Sequence, residues 1–221
     1  EIMNRLKRNI QAGKTNFILI LLFFFIISTP TSVISLENLS GKFIEIMRLP
    51  EPFEYPNSSY FAEYLNFEAE DNLIDILKSQ HTELLEIFQN LAKGQESFAY
   101  APGKWSIQQL LGHIIDTERI FSYRALAISR VERQALPSFD ENEYLLQAQY
   151  ESQDLTHVLT QYRHVRQATI SLIESFSTIQ ANQLGNANGQ SVSVRALAWM
   201  IAGHEKHHIQ VIKERYLNLN P

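Results

Sequence analysis

The chain has 221 residues, 45% hydrophobic and 19% charged, which suits one globular domain with a substantial core. It contains no cysteine, and this excludes disulfides, thiolate metal ligation and a cysteine nucleophile, leaving imidazole and carboxylate as donors suited to Zn, Ni, Fe or Mn. The net charge is −5; residues 1–46 carry +2 and residues 47–221 carry −7, and an acidic domain without a basic stripe is a poor nucleic-acid binder.

Residues 1–46 form an N-terminal extension that differs from the rest. Arg5, Lys7, Arg8 and Lys14 precede an unbroken apolar run at 17–27, followed by Ser28, Thr29, Pro30, Thr31 and Ser32. Basic, apolar, then small and polar is the layout of a secretory signal, and the run is short of the roughly 20 residues a spanning helix needs. Three readings fit: a signal peptide or anchor, a mobile extension, or upstream sequence preceding a start at Met47. The chain is expected to be cytoplasmic if Met47 is the start. It is expected to be secreted or membrane-anchored if the segment at 17–27 is kept.

From Met47 onward, Pro50, Pro52 and Pro56 with Asn57, Ser58 and Ser59 predict an extended lead-in. Its aromatics Phe53, Tyr55, Tyr60, Phe61 and Tyr64 are expected against the outside of a bundle. A first long helix is predicted over 71–93, with Leu73, Ile76, Leu77, Leu84, Ile87, Phe88 and Leu91 on one stripe and Gly94 as its stop. His81 falls off that stripe and is expected at the surface. After the turn at 102–105, Ser106 and Gln109 have the spacing of a capping box that opens a second helix reaching about 131. Ile107, Leu110, Leu111, Ile114 and Phe121 define its buried face. Glu118 falls near the middle of that face, where a carboxylate needs an ion pair, hydrogen bonds or a metal. His113 flanks the face.

Leu136-Pro137-Ser138 breaks the chain, and 140–150 predicts a short helix with Tyr144, Leu145 and Ala148 inward. A third long helix spans 154–177 through Leu155, Val158, Leu159, Tyr162, Val165, Thr169, Leu172, Ile173 and Phe176, with His157 and His164 left in solvent. Residues 185–189 are a turn. The pattern shows no repeat and no alternating strand.

The last helix, predicted over 193–216, carries the chemistry. At 100° per residue Val194, Leu197, Ile201, Val211 and Ile212 share a face, and His204 and His208 lie within it, whereas His207 lies at its edge. Neutral imidazoles one turn apart can hold one zinc-like ion. The same residues read as H-E-x-x-H, the zinc-peptidase pattern in which Glu205 would be general base. Those enzymes take a third ligand well downstream, but the thirteen residues after His208 include no His, Asp or Cys. Glu214 alone could serve there, and it is too close along the same helix; a third ligand would come from upstream, and His113 is the best candidate. Four amphipathic helices predict an all-α four-helix bundle, in which His113 meets His204 and His208 at one end of the core.

The motifs Ala-Pro-Gly-Lys-Trp-Ser at 101–106, Gly-His-Ile-Ile-Asp-Thr-Glu-Arg at 112–119, Tyr-Arg-Ala-Leu at 123–126, Leu-Pro-Ser-Phe-Asp at 136–140 and Ala-Gly-His-Glu-Lys-His-His at 202–208 resemble the DinB-like superfamily. The likeness is strongest to the branch grouped with metal-dependent hydrolases and bacillithiol S-transferases, and covers roughly 47–217. It implies a cytoplasmic, often dimeric four-helix bundle whose three histidines, falling on His113, His204 and His208, hold a divalent metal. Some relatives transfer low-molecular-weight thiols.

Two functions follow as expectations. One is an S-transferase or hydrolase acting on a small molecule, with zinc or nickel favoured, a low-molecular-weight thiol as cosubstrate, and Glu205 or Glu118 orienting ligands or accepting a proton. Trp105, Arg119 and Arg124 would line its entrance or bind an anionic substrate, unless the arginines pair with Asp116 and other surface acids. The other is a non-catalytic metal-binding or dimerising bundle.

Overall fold

The structure, a computed structural model, describes residues 47–217. The signal-like segment at 17–27 lies outside the described residues; within them, no helix is long and apolar enough to cross a membrane.

Among the described residues seven α-helices and one hairpin follow in order: α1 Ser59–Tyr64, α2 Leu73–Gln89, α3 Ile107–Ser129, α4 Glu141–Ala148, α5 Leu155–Glu174, α6 Thr178–Ala181, β1 Leu184–Ala187, β2 Gln190–Ser193 and α7 Val194–Val211. A π-helical stretch, Ile212–Leu217, continues α7. The four long helices α2, α3, α5 and α7 make the bundle, with α7 against α2 and α3, and α5 against the same two.

The boundaries follow from local chemistry. Asn72 caps α2, accepting from Ile74 N and Asp75 N; the helix ends at Gln89, short of Gly94, which adopts the left-handed conformation at φ 89°. At the start of α3, Gln109 N donates to Ser106 Oγ at 3.2 Å and Ser106 N to Gln109 Oε1 at 2.9 Å, completing the expected capping box. Ser106→Ala is expected to cost about 1 kcal/mol, measurable by urea denaturation.

The turn at 185–189 is a β-hairpin, so the expectation of no strand fails. Asn188 and Gly189 both have positive φ, 55° and 74°, as a two-residue type I′ loop requires. Four residues a side were too few to show alternation. Within α4, Leu145 is buried as expected, but Tyr144 is 48% exposed.

Two further differences concern α7. It is not buried on one face alone: Val194 through Glu205 is buried without a break. The reason is the lead-in, which belongs to the core. Met47 is 2% exposed, and Trp199 Nε1 donates to its carbonyl at 2.9 Å. Glu54, in the turn Pro52–Glu54, is buried, accepts from Arg195 at 2.7 Å and from Ser193 Oγ at 2.8 Å, and so pins the lead-in to the start of α7. Of the lead-in aromatics, Phe53 and Tyr60 face solvent, while Tyr55, Phe61 and Tyr64 pack on the core.

The closest approach is at Gly203. A Cβ there would collide with the backbone carbonyl of Tyr64, which no rotamer change relieves. Gly203→Ala should therefore force α1 off α7 and destabilise the fold by about 1–3 kcal/mol, read from the denaturation midpoint.

The core has two apolar clusters. One gathers Leu73, Leu77, Phe121, Ile128, Ile173 and Trp199; the other gathers Leu84, Phe88, Leu111, Ile115, Tyr162 and Ile209. Each bundle helix buries polar side chains beside these clusters, among them Gln80 on α2, His113, Thr117 and Glu118 on α3, Arg166 and Thr169 on α5, and His204 and Glu205 on α7. A polar layer thus crosses the bundle.

Candidate metal centre

One side of that layer is three imidazoles. His113 comes from the second turn of α3, and His204 and His208 come from successive turns of α7. His113 Nε2 lies 3.0 Å from His204 Nε2, which lies 3.1 Å from His208 Nε2. One donor atom from each falls within 4.8 Å of the others, the arrangement of a group able to hold a metal ion. His113 and His204 are each 5% exposed; His208 is partly exposed.

Burial lowers the His113 pKa to about 4. It lowers that of His208 to about 2, with His113 and His207 adding to the effect, and pushes that of His204 well below the usual range. All three rings are therefore neutral near pH 7, each with one nitrogen lone pair free. Hydrogen bonds cannot serve this trio fully: His204 Nε2 has two nitrogen neighbours but carries either one proton or one lone pair. A cation among the rings satisfies every lone pair at once. Nitrogens bound about 2.0–2.1 Å from one ion lie roughly 3 Å apart, the spacing found here. The residues fit a divalent metal.

The ring of Trp105 lies 4.9 Å from that of His113, and Tyr64 lies 5.7 Å from His204. His207 turns away, its Nδ1 3.0 Å from Glu63. Beside His208 is a cavity of about 340 Å³ bordered by Trp105, Tyr100, Tyr216, Lys104 and Arg215. The π-helical stretch carries Tyr216 to its place, where the hydroxyl donates to the Trp105 carbonyl at 2.8 Å.

On the other side of the layer, Glu118 and Glu205 meet a residue that periodicity passed over. Arg166, 1% exposed, donates to Glu118 at 2.8 Å and 3.0 Å, to the Leu77 carbonyl at 3.0 Å, and to Glu205 Oε2. One guanidinium so joins all four bundle helices. Burial opposes its charge, but Glu118 and Glu205 more than offset that and hold its pKa well above the usual value. Tyr162 donates to Glu205 Oε1 at 2.5 Å, and burial pushes the Glu205 carboxyl up against the pull of Arg166. Glu118 and Glu205 thus face Arg166, and neither belongs to the histidine cluster.

The sequence did hold a signal for Arg166. It lies four residues after Tyr162 and three before Thr169, inside the apolar stripe, a charge in the same predicament as Glu118. His81 is also not a surface residue. It is half-buried, its ring stacks on Tyr162 at 5.2 Å, and its Nδ1 is buried without a partner. His157 and His164 are exposed. Arg119 pairs with Asp116 at 3.1 Å and does not border the histidine cavity, whereas Trp105 does; Arg124 borders a different cavity.

A likeness to solved structures agrees with this architecture. YfiT from Bacillus subtilis, described as a probable metal-dependent hydrolase with an unusual four-helix bundle topology, aligns with 76% of this chain and 98% of its own. The TM-score is 0.62 at 16% identity, a likeness of fold. OB0413 of Oceanobacillus iheyensis, named provisionally as a metal-dependent hydrolase, is 26% identical over 130 residues, 58% of this chain and 74% of that protein. The family model described as the DinB superfamily matches residues 76–212, a span that includes all three clustered histidines and the Arg166 network. With that match over most of the described bundle, the chain belongs to the DinB superfamily.

Proposed function

We propose that the chain is a metal-dependent enzyme acting on a small molecule, a thiol S-transferase or a hydrolase, with His113, His204 and His208 holding the ion. The observation that carries this reading is the meeting of three neutral imidazole nitrogens beside a cavity bordered by His208. Among the described residues no fourth His, Asp or Glu joins the cluster, so coordination positions stay open, as reactive sites keep them and structural sites do not. That favours the enzyme over the non-catalytic bundle. The names of the two relatives point the same way. An all-imidazole donor set favours zinc or nickel.

A bound divalent ion supplies Lewis acidity, which makes a thiol or water nucleophilic near neutral pH. The chain supplies the rest. Trp105 covers His113, Tyr100 and Tyr216 give the cavity aromatic walls, and Lys104 and Arg215 place positive charge beside it, with the carboxylate of Glu141 on the same rim. Glu205, adjacent to His204 and clamped by Arg166 and Tyr162, fixes the rotation of α7; Glu118, on the same guanidinium, fixes α3 against it. Both carboxylates act as positioning residues. Because the chain has no cysteine, a reacting thiol comes from a low-molecular-weight cosubstrate.

Metal-depleted protein titrated with Zn²⁺ or Ni²⁺ should take up one ion per chain. An excess of about 100 times Kd should raise unfolding stability by about 2.7 kcal/mol, reversed by a chelator. Loaded protein assayed with thiol–electrophile pairs and with ester and amide substrates should turn over one class, and His208→Ala should abolish it. Activity untouched by that change overturns the reading. Sedimentation at assay concentration tests the homodimer that the family resemblance implies.

A further inference from the structure

Three arginines are buried among the described residues: Arg124, Arg166 and Arg195, at 7%, 1% and 2% exposure. Two of them meet carboxylates, Arg166 with Glu118 and Glu205, and Arg195 with Glu54. Arg124 meets none. Its guanidinium donates to the Pro137 carbonyl at 2.7 Å and lies 5.9 Å from the ring centres of Phe121 and Phe139. An arginine has five N–H donors and does not give up its charge, so burying it without an anion is expensive. The two paired arginines show how this fold otherwise meets that cost.

Arg124 stands in the wall of a cavity of about 460 Å³ between α1, α3, the hairpin and α7, a size that suits a small molecule. Phe61, Phe121, Phe139, Val192, Leu197 and Met200 give it an apolar side, and Ser58, Tyr60, Asn188 and Gln190 line the rest. Ser138 adds a hydroxyl. Glu141 also borders the cavity, outside ion-pairing distance of the guanidinium, and disfavours an occupant with two negative charges. One planar guanidinium fork matches one carboxylate, and the aromatic and aliphatic walls match an apolar body.

We propose that this cavity binds an apolar monocarboxylic acid, with Arg124 holding its carboxylate. The Phe121 ring, one face of which lies toward Arg124, is also 6.2 Å from the ring of His204, so the bound acid sits next to the histidine centre. The cavity is a different one from that at His208, although Glu141 borders both, and it does not require an ion.

The test uses the full chain without metal and 3-phenylpropionate as probe, with 3-phenylpropionamide as its uncharged match, followed by calorimetry or ligand-observed NMR. The acid should bind saturably and at least tenfold more tightly than the amide. Arg124→Gln should weaken the acid to the level of the amide while leaving the amide unchanged, and His113→Ala should leave both as in the unaltered chain. Equal binding of acid and amide, or no saturable binding of the acid, overturns the proposal. That comparison is made on unaltered protein, so it decides the matter even if Arg124→Gln fails to fold. Failure of the unaltered chain to take up Zn²⁺ or Ni²⁺, with acid binding retained, would sink the metal centre and leave this site standing.

Discussion

His204→Ala is expected to remove tight divalent-metal binding, lowering affinity at least about 100-fold. Changes to groups that only support a ligand already cost 10–100-fold, and His204 is the shared corner of the cluster. Its Nε2 lies within 3.1 Å of both other rings. Without it only His113 and His208 remain, their ring centres 5.0 Å apart, and two imidazoles hold an ion more weakly than three. Because His204 is buried, the variant also loses packing, and far-UV circular dichroism must show the bundle intact before the titration is read. His208→Ala is the cleaner partner experiment, since that ring borders a cavity and its removal leaves less of a void. Cobalt substitution gives a direct readout: the ligand-field absorption of a nitrogen-bound ion should appear with the unaltered chain and be absent from both variants. Unchanged uptake in His204→Ala would mean that the three rings are not the metal site.

Arg166→Met should destabilise the chain by about 3–5 kcal/mol, because it leaves two buried carboxylates facing each other without their cation. Against a total stability of about 5–15 kcal/mol for a domain, that is a large share and in the lower range leaves little folded protein at 37 °C. Denaturant midpoints measure it. The triple change Arg166→Met, Glu118→Gln, Glu205→Gln should recover part of the loss, since no net charge then remains buried at that point. A second consequence separates positioning from stability. Arg166 ties α3, which carries His113, to α7, which carries His204 and His208, so metal affinity in the folded triple variant should fall about 10–100-fold. Retained affinity would show that the network holds the bundle together without setting the spacing of the rings.

Much of the frame was legible because it rests on local chemistry. Ser106 with Gln109 and the apolar stripes of α2, α3 and α5 are patterns whose causes lie within a few residues of one another. The inward direction of His204 and His208 is of the same kind, since 3.6 residues per turn fixes it. Glu118 announced a missing partner by sitting in an apolar face. Arg166 carried the same signal and was passed over; what periodicity could not show was that its long side chain reaches partners on three other helices, or that the Tyr162 hydroxyl meets Glu205. His81 was misread for a related reason: its burial comes from α5 stacking over it and not from its own helix. The lead-in was placed outside because nothing in its proline-rich sequence shows that Glu54 is matched by Arg195, nearly the whole described chain away.

By itself the sequence determined the four long helices, the Ser106 cap, most of their inward faces and a set of histidines pointing into a core, because each depends on residues close along the chain. Only the tertiary structure decided which side chains share a point in space: that His113 meets His204 and His208, that Glu118 and Glu205 turn to one arginine, and that Arg124 alone among the buried arginines of the described residues meets no carboxylate. Those outcomes depend on the packing of helices far apart in sequence, and periodicity along one helix carries no information about the rotation of its neighbours.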